Sequence, residues 1–242
     1  MIKQDVHSLA LLAWLIASGD EGEPVATGAD RGRAPLSLRE RNKLRTRRSL
    51  LDAALEIFTE QGFGSASVEA IAARAGASKV TVYSYFPSGR EELFRQLYDE
   101  INTELLDRAL ALWGASEGLV DRVTALARAL LEIGARPLVG RFYSIDDPAL
   151  EAALDPVRGH ASGTFRQLIS AELGRCRDAG ELSSTADPDA LARLLVGASR
   201  AALTEVARRP ERAGELLEAF ADLVRGLLGD ADDAGADAPG AY

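Results

Sequence analysis

The sequence contains one cysteine, Cys176, and two histidines, His7 and His160, set far apart. A lone cysteine excludes an intrachain disulfide framework and fits a reducing compartment. With so few Cys and His, no group has metal-ligand spacing, so no metal is expected. Strand-like alternation of apolar and polar residues is missing. No apolar run is long enough to cross a bilayer as a helix. The run at residues 9–17, LALLAWLIA, has the outline of a signal peptide after Lys3. It carries a single basic residue before it and an acidic, Gly-rich stretch behind it, and it reads better as part of an upstream extension. Gly62-Phe63-Gly64 contains GxG but follows no strand, so it is not read as a nucleotide loop. The pair Asp146-Asp147 before Pro148 lacks a partner for acid–base work. No catalytic residue and no cofactor are expected, and the chain is not read as an enzyme.

What remains is an ordinary globular balance, 47% hydrophobic and 27% charged, with a net charge of −9. The charge is unevenly spread. Residues 1–30 carry one basic and five acidic groups, whereas residues 31–95 carry twelve basic and seven acidic ones. The remainder, residues 96–242, has fifteen basic and twenty-five acidic residues. A basic segment is thus attached to an acidic body, a distribution that a whole-chain isoelectric point conceals. Within it, residues 31–48 hold eight Arg or Lys against one Glu. That one-sided run, with Arg45, Arg47 and Arg48 at its end, suits contacts to phosphates.

Helical periodicity dominates. Leu51, Ala54, Leu55 and Phe58 form one apolar stripe on a helix from about Ser37 to Gln61, with Gly62 as its C′ residue. Val68, Ile71, Ala72 and Ala75 repeat the spacing in a short helix with Ser67 as N-cap, ended by Gly76. Ser78 then caps a third helix running to about Phe86. Pro87 and Ser88 break the chain, and Ser88 with Glu91 reads as a capping box opening a long helix through Leu93, Leu97, Ile101 and Leu105. Further helices are expected over about 118–135, 137–144, 156–180, 187–208 and 211–228. The fold class is therefore all-α, with about nine helices. The organisation is a flexible N-terminal extension over 1–36, a three-helix domain over 37–87, a larger helical domain over 88–228, and a disordered tail over 229–242.

Two short helices joined by Ala75-Gly76-Ala77-Ser78 have the dimensions of a helix-turn-helix. On the second of them, Val82 and Phe86 lie four apart and can face the core. Lys79, Thr81, Tyr83, Ser84 and Tyr85 then point largely outward, with side chains suited to phosphates and base edges. The stretch Thr46–Leu93 resembles the N-terminal domain of the tetracycline-repressor (TetR) family. The resemblance is carried by Ala53-Ala54 through Phe63, Ser67-x-x-x-Ile71-Ala72, the Ala75–Ser78 turn, and Lys79-x-Thr81-x-Tyr83-x-Tyr85-Phe86. It implies that the third helix enters the major groove of double-stranded DNA with Lys79, Val80, Thr81, Tyr83, Ser84 and Tyr85. It also implies that Ser67 aims the second helix at a phosphate. One departure stands out. Gly89 occupies the position where the family has Lys and Arg90 follows, with an apparent one-residue insertion before Leu93. Arg90 is a further candidate for a phosphate.

The distal half matches the family in layout only, as a variable helical body whose last two helices dimerise. Residues 187–208 are apolar nearly all round and rich in small side chains, and residues 211–228 carry a stripe too broad for one core-facing side. Two such helices from each subunit can form a four-helix homodimer interface. Four scarce aromatics, Trp113, Phe142, Tyr143 and Phe165, lie with His160 between the two ends of the chain, and are candidate lining for a small-molecule effector pocket. The resemblance thus implies a cytoplasmic, ligand-responsive repressor. The competing readings are a helical small-molecule-binding protein or enzyme with no DNA role, and a constitutive DNA-binding protein. Cys176 is read as packing, although Arg175 and Arg177 beside it could lower its pKa.

Overall fold

The computed structural model describes residues 37–145 and 159–229. The expected N-terminal extension, the acidic tail beyond Gly229, Asp146-Asp147, and the first residues of the helix expected from 156 lie outside the described residues. Those described form nine α-helices and one short 3-10 turn. The helices are α1 (Leu38–Gln61), α2 (Val68–Arg74), α3 (Lys79–Tyr85), α4 (Arg90–Gly114), α5 (Gly118–Gly134), α6 (Pro137–Tyr143), α7 (His160–Asp178), α8 (Pro188–Arg208) and α9 (Ala213–Arg225). Among the described residues, the only β-type pairing is a bridge between Leu182 and Leu228. None of the helices there is long and apolar enough to cross a membrane.

The chain divides into two compact units, residues 1–49 and 50–242. The described part of the first is the opening half of α1. A capping box starts it: Ser37 Oγ accepts from Glu40 N at 3.2 Å, and Glu40 accepts from Ser37 N at 2.9 Å. Hydrogen bonds from the Ser37 side chain and backbone hold the Glu40 carboxyl below its ordinary pKa.

In the second unit, the apolar stripes become one core. Leu50, Leu51, Ala53, Ala54, Ile57 and Phe58 of α1 are buried, a broader stripe than the periodicity indicates. Phe94 of α4 lies at its centre. Its ring centroid is 5.1 Å from that of Phe58, 5.2 Å from Phe63 and 4.5 Å from Phe142 of α6. The end of α1 and the loop after it therefore share an aromatic core with α4 and α6. Arg74 ties α2 to α1 through Glu56 at 2.6 Å and Glu60 at 2.9 Å. In the body, α5 is the central helix: it packs against α4, α8 and α9. Arg122 of α5 reaches the buried Glu172 of α7 at 3.0 Å. The last helix ends three residues earlier than its apolar pattern suggests. Gly226 caps α9, and the chain then pairs with the segment after α7, Ser183 N donating to Leu227 O at 2.9 Å.

Candidate nucleic-acid interface and body cavity

The geometry of the helix-turn-helix follows from its caps. Ser67 Oγ accepts from Ala70 N at 3.1 Å and starts α2. At the other end, Ala77 N donates to Ala72 O at 2.9 Å and Gly76 N to Ala73 O at 3.2 Å. This is a Schellman closure with Gly76 at φ +63°, the left-handed region that glycine enters without strain. Ser78 then accepts from Thr81 N at 3.0 Å, and its hydroxyl also meets that of Thr81 at 2.8 Å. Two local capping devices thus set the angle between α2 and α3.

Val82 and Phe86 are fully buried, as their spacing predicts. On the other face Val80 is 79% exposed and Tyr83 42%, with Lys79 and Ser84 exposed and Thr81 and Tyr85 half-buried. Ser84 donates to Thr81 O at 2.7 Å, so its hydroxyl proton is already used locally. Lys79 Nζ forms an ion pair with Glu69 of α2 and sits 6.0 Å from the Tyr83 ring centroid. That bond lowers the Glu69 pKa and raises that of Lys79. Thus α3 presents one cation, one bare aliphatic side chain and one phenol, none needed to fill the core. In the first unit Arg45 and Arg48 are exposed and Arg47 is half-buried.

The start of α4 differs from the expected capping box. The N-cap is Gly89, and the carboxylate that returns to Ser88 N is Glu92 at 2.9 Å, one residue beyond Glu91. Gly89 is buried, at φ +63° and ψ −130°. A Cβ there would stand 3.2 Å from both the Tyr83 ring and the Val68 side chain. The absence of a side chain at 89 is what lets Tyr83 lie back against α4.

Arg90 also has an internal task. Its Nη1 donates to the carbonyls of Phe63 at 3.3 Å, Gly64 at 3.0 Å and Ala66 at 3.1 Å, and its guanidinium carbon lies 4.9 Å from the Phe63 ring centroid. It clamps the loop before α2 onto α4. The carbonyls hold the Nη1 end of its guanidinium on the protein itself.

In the body, the five residues expected to share a pocket do not converge. Tyr143 and Phe165 line one cavity with Leu105, Leu130, Ala161, Ser162, Val196, Ser199 and Arg200, its volume about 10 Å³. Phe142 belongs instead to the aromatic core around Phe94. Trp113 is buried at the end of α4, with the Arg122 guanidinium 5.8 Å from its ring centroid. His160 is exposed at the start of α7. Tyr143 stacks on Tyr98 at 5.0 Å and donates to the buried Asn102. Burial raises the pKa of its phenol, which stays protonated. Cys176 is buried, and burial, with Glu181 adding to it, pushes its thiol up to about 11, against the lowering that its arginine neighbours suggest.

Both terminal helices keep an apolar face open. Leu194 is 71% exposed on α8 beside exposed Gly197 and Ala201, and Leu223 is 53% exposed on α9.

Residues 50–97 match the model of the bacterial regulatory proteins of the tetR family. No curated protein matches the sequence significantly. Solved structures resemble it along most of its length. A TetR-like transcriptional regulator from Rhodococcus sp. RHA1 is 26% identical, with 81% of this chain and 98% of that one covered at a TM-score of 0.59. The SmeT–triclosan complex is 21% identical, covering 78% of this chain and 93% of that one at 0.60. NalD, the secondary repressor of the MexAB-OprM multidrug efflux pump in Pseudomonas aeruginosa, is 22% identical, covering 78% and 99% at 0.59. The capped helix-turn-helix and the family match that runs through it give residues 50–97 the DNA-binding domain of the tetR regulatory proteins, and the helical body behind it has the fold of the solved regulators.

Proposed function

We propose that the protein is a ligand-responsive repressor that binds a palindromic operator as a homodimer and is released by a small molecule. The observation that carries this reading is the division of labour on α3, where Val82 and Phe86 fill the core and Lys79, Val80, Tyr83 and Ser84 face solvent. Lys79 and Tyr83 offer hydrogen bonds to base edges and phosphates, and Val80 suits a thymine methyl. Thr81 and Tyr85 flank them at the rim. Ser67 orders the first turn of α2, and Arg45, Arg47 and Arg48 supply charge for phosphates that carry no sequence information. Residues 37–87 are the DNA-binding part in this reading, and 88–228 the effector and dimerisation part.

Dimerisation uses the open faces of α8 and α9. A two-fold dimer demands a two-fold operator, one recognition helix per half-site. The effector enters the cavity beside Tyr143 and Phe165. The small molecule in the SmeT–triclosan complex and the repressor role of NalD support this assignment by likeness of fold. An effector that favours the non-binding arrangement by about 100-fold, about 2.7 kcal/mol, suffices for a switch.

The test is selection of duplexes from a random pool, followed by gel-shift titration. A near-palindromic winner bound with steep salt dependence is expected. Replacing both Tyr83 and Tyr85 by Ala should remove the preference for that duplex while leaving helicity intact. A protein that retains no duplex above background, or a double variant with full operator affinity, overturns the reading.

A further inference from the structure

We infer that Arg90 is a positioning residue for duplex recognition: it holds the loop that aims α2, and through α2 the helix α3, without meeting DNA itself. This inference rests on the proposed reading of α3 as the helix that reads the duplex. Gly89, at φ +63°, makes the turn into α4, and Arg90 is the first residue after it. Its Nη1 meets the carbonyls of Phe63, Gly64 and Ala66 between 3.0 and 3.3 Å. A guanidinium nitrogen of this kind carries two protons, so three acceptors share one cationic atom. Phe63 and Ala66 are each 2% exposed, so water is poorly placed to replace that donor. The guanidinium also lies over the Phe63 ring, 4.9 Å from its centroid.

What this loop controls is the geometry of reading. Ala66 is followed at once by Ser67, the N-cap of α2, and by Val68, its first residue. Glu69 in the same turn holds Lys79 of α3. Gly89 in turn faces both Val68 of α2 and Tyr83 of α3, each 3.2 Å from where its Cβ would stand. Two adjacent residues at the start of α4 therefore bear on both halves of the helix-turn-helix. One does so by lacking a side chain, the other through a cation. Displacing the loop moves the base of α2, and with it the angle at which Lys79, Val80 and Tyr83 are presented. Contacts to base edges depend on that angle, whereas contacts to phosphates depend mainly on charge. Loss of the Arg90 head therefore falls on the preferred sequence and spares binding to duplexes at large. A direct phosphate contact has the opposite signature. Its loss weakens every duplex alike and flattens the salt slope by about 0.9.

The test compares full-length native protein with Arg90→Gln and Arg90→Lys. Each is titrated over a range of salt with the duplex selected from the random pool and with a scrambled duplex of equal length, and each is melted alone. Arg90→Gln should bind the selected duplex about tenfold more weakly, with the scrambled duplex and both salt slopes unchanged. Arg90→Lys keeps a charge that reaches the carbonyls but not the flat stack on Phe63, and should lose about threefold, again on the selected duplex alone. Equal weakening of both duplexes with a flattened slope would make Arg90 a phosphate contact and overturn the inference. A lowered Tm with native affinity for both duplexes would reduce the clamp to a purely structural one and overturn it too. Should Arg90→Gln fail to fold, the lysine variant decides: a loss confined to the selected duplex supports the inference, and native affinity for both overturns it. If the native protein prefers no duplex, the recognition reading itself falls and takes this inference with it.

Discussion

Phe142 separates two accounts of the aromatics in the body. Its sequence position suggests pocket lining, yet its ring lies 4.5 Å from Phe94 and 6.2 Å from Phe58, and the residue is 1% exposed. Truncating a buried phenylalanine to alanine costs about 3–5 kcal/mol, the spread reflecting how far the site collapses around the void. Three helices meet at this ring, and two neighbours are themselves rigid aromatics, so little collapse is available. We expect about 4 kcal/mol for Phe142→Ala. For a chain of this size each kcal/mol shifts the melting temperature by about 2–4 °C, so Tm should fall by roughly 8–16 °C. Phe142→Leu keeps much of the volume and should cost less than half of that. The assay is thermal unfolding followed by circular dichroism at one fixed protein concentration, because the proposed dimer would make Tm concentration-dependent. If the ring lined a ligand pocket, truncation would change ligand affinity and leave Tm nearly alone. A Tm for Phe142→Ala within about 2 °C of the native value would refute the shared core and return Phe142 to the pocket.

Other perturbations probe other parts of the structure. Gly89→Ala should destabilise the protein by about 1–3 kcal/mol, since its backbone conformation suits glycine and the new methyl meets Tyr83 and Val68 at 3.2 Å; operator affinity should fall with it, whereas Ser88→Ala, which removes only a side chain outside the cap, should be near neutral in a melt. Leu194→Glu with Leu223→Glu should give a folded monomer in sedimentation, since both side chains are already exposed in one protomer; a stable dimer would place the interface elsewhere. Cys176, with its thiol pushed up to about 11 by burial, should be about 0.1% thiolate at pH 8 and should not react with a disulfide reagent until the chain unfolds; rapid labelling of the native protein would contradict this.

Features set by near neighbours were legible in the sequence. Ser67 and Ser78 cap α2 and α3 as their positions predict, because a cap involves only the next three residues. Val82 and Phe86 follow from spacing along one helix. The errors arise where distant residues decide. The capping box at Ser88 shifts by one residue because Gly89, held between Tyr83 and Val68, takes the cap position. Arg90 turns inward to carbonyls 24 to 27 positions earlier, which no local pattern encodes. Four of the five pocket candidates share only their scarcity as aromatics. Scarcity says a ring is important, but not that Phe142 meets Phe94 while Phe165 meets the cavity. The box at Ser37 and Glu40, by contrast, is a plain S-x-x-E spacing whose absence from the expected elements has no physical excuse.

The two faces of α3 also differ in their freedom to change across generations. A substitution at Val80 leaves Val82, Phe86 and the caps untouched, so under the proposed reading a lineage can explore new operators there at little cost to folding. Tyr83 is less free, because its ring rests on a glycine whose Cβ would crowd it at 3.2 Å. Divergent descendants should therefore vary position 80 independently, but exchange 79 with 69 and 83 with 89 as pairs. Within one seven-residue helix, the proposed address is largely separable from the fold that presents it, with two linked exceptions.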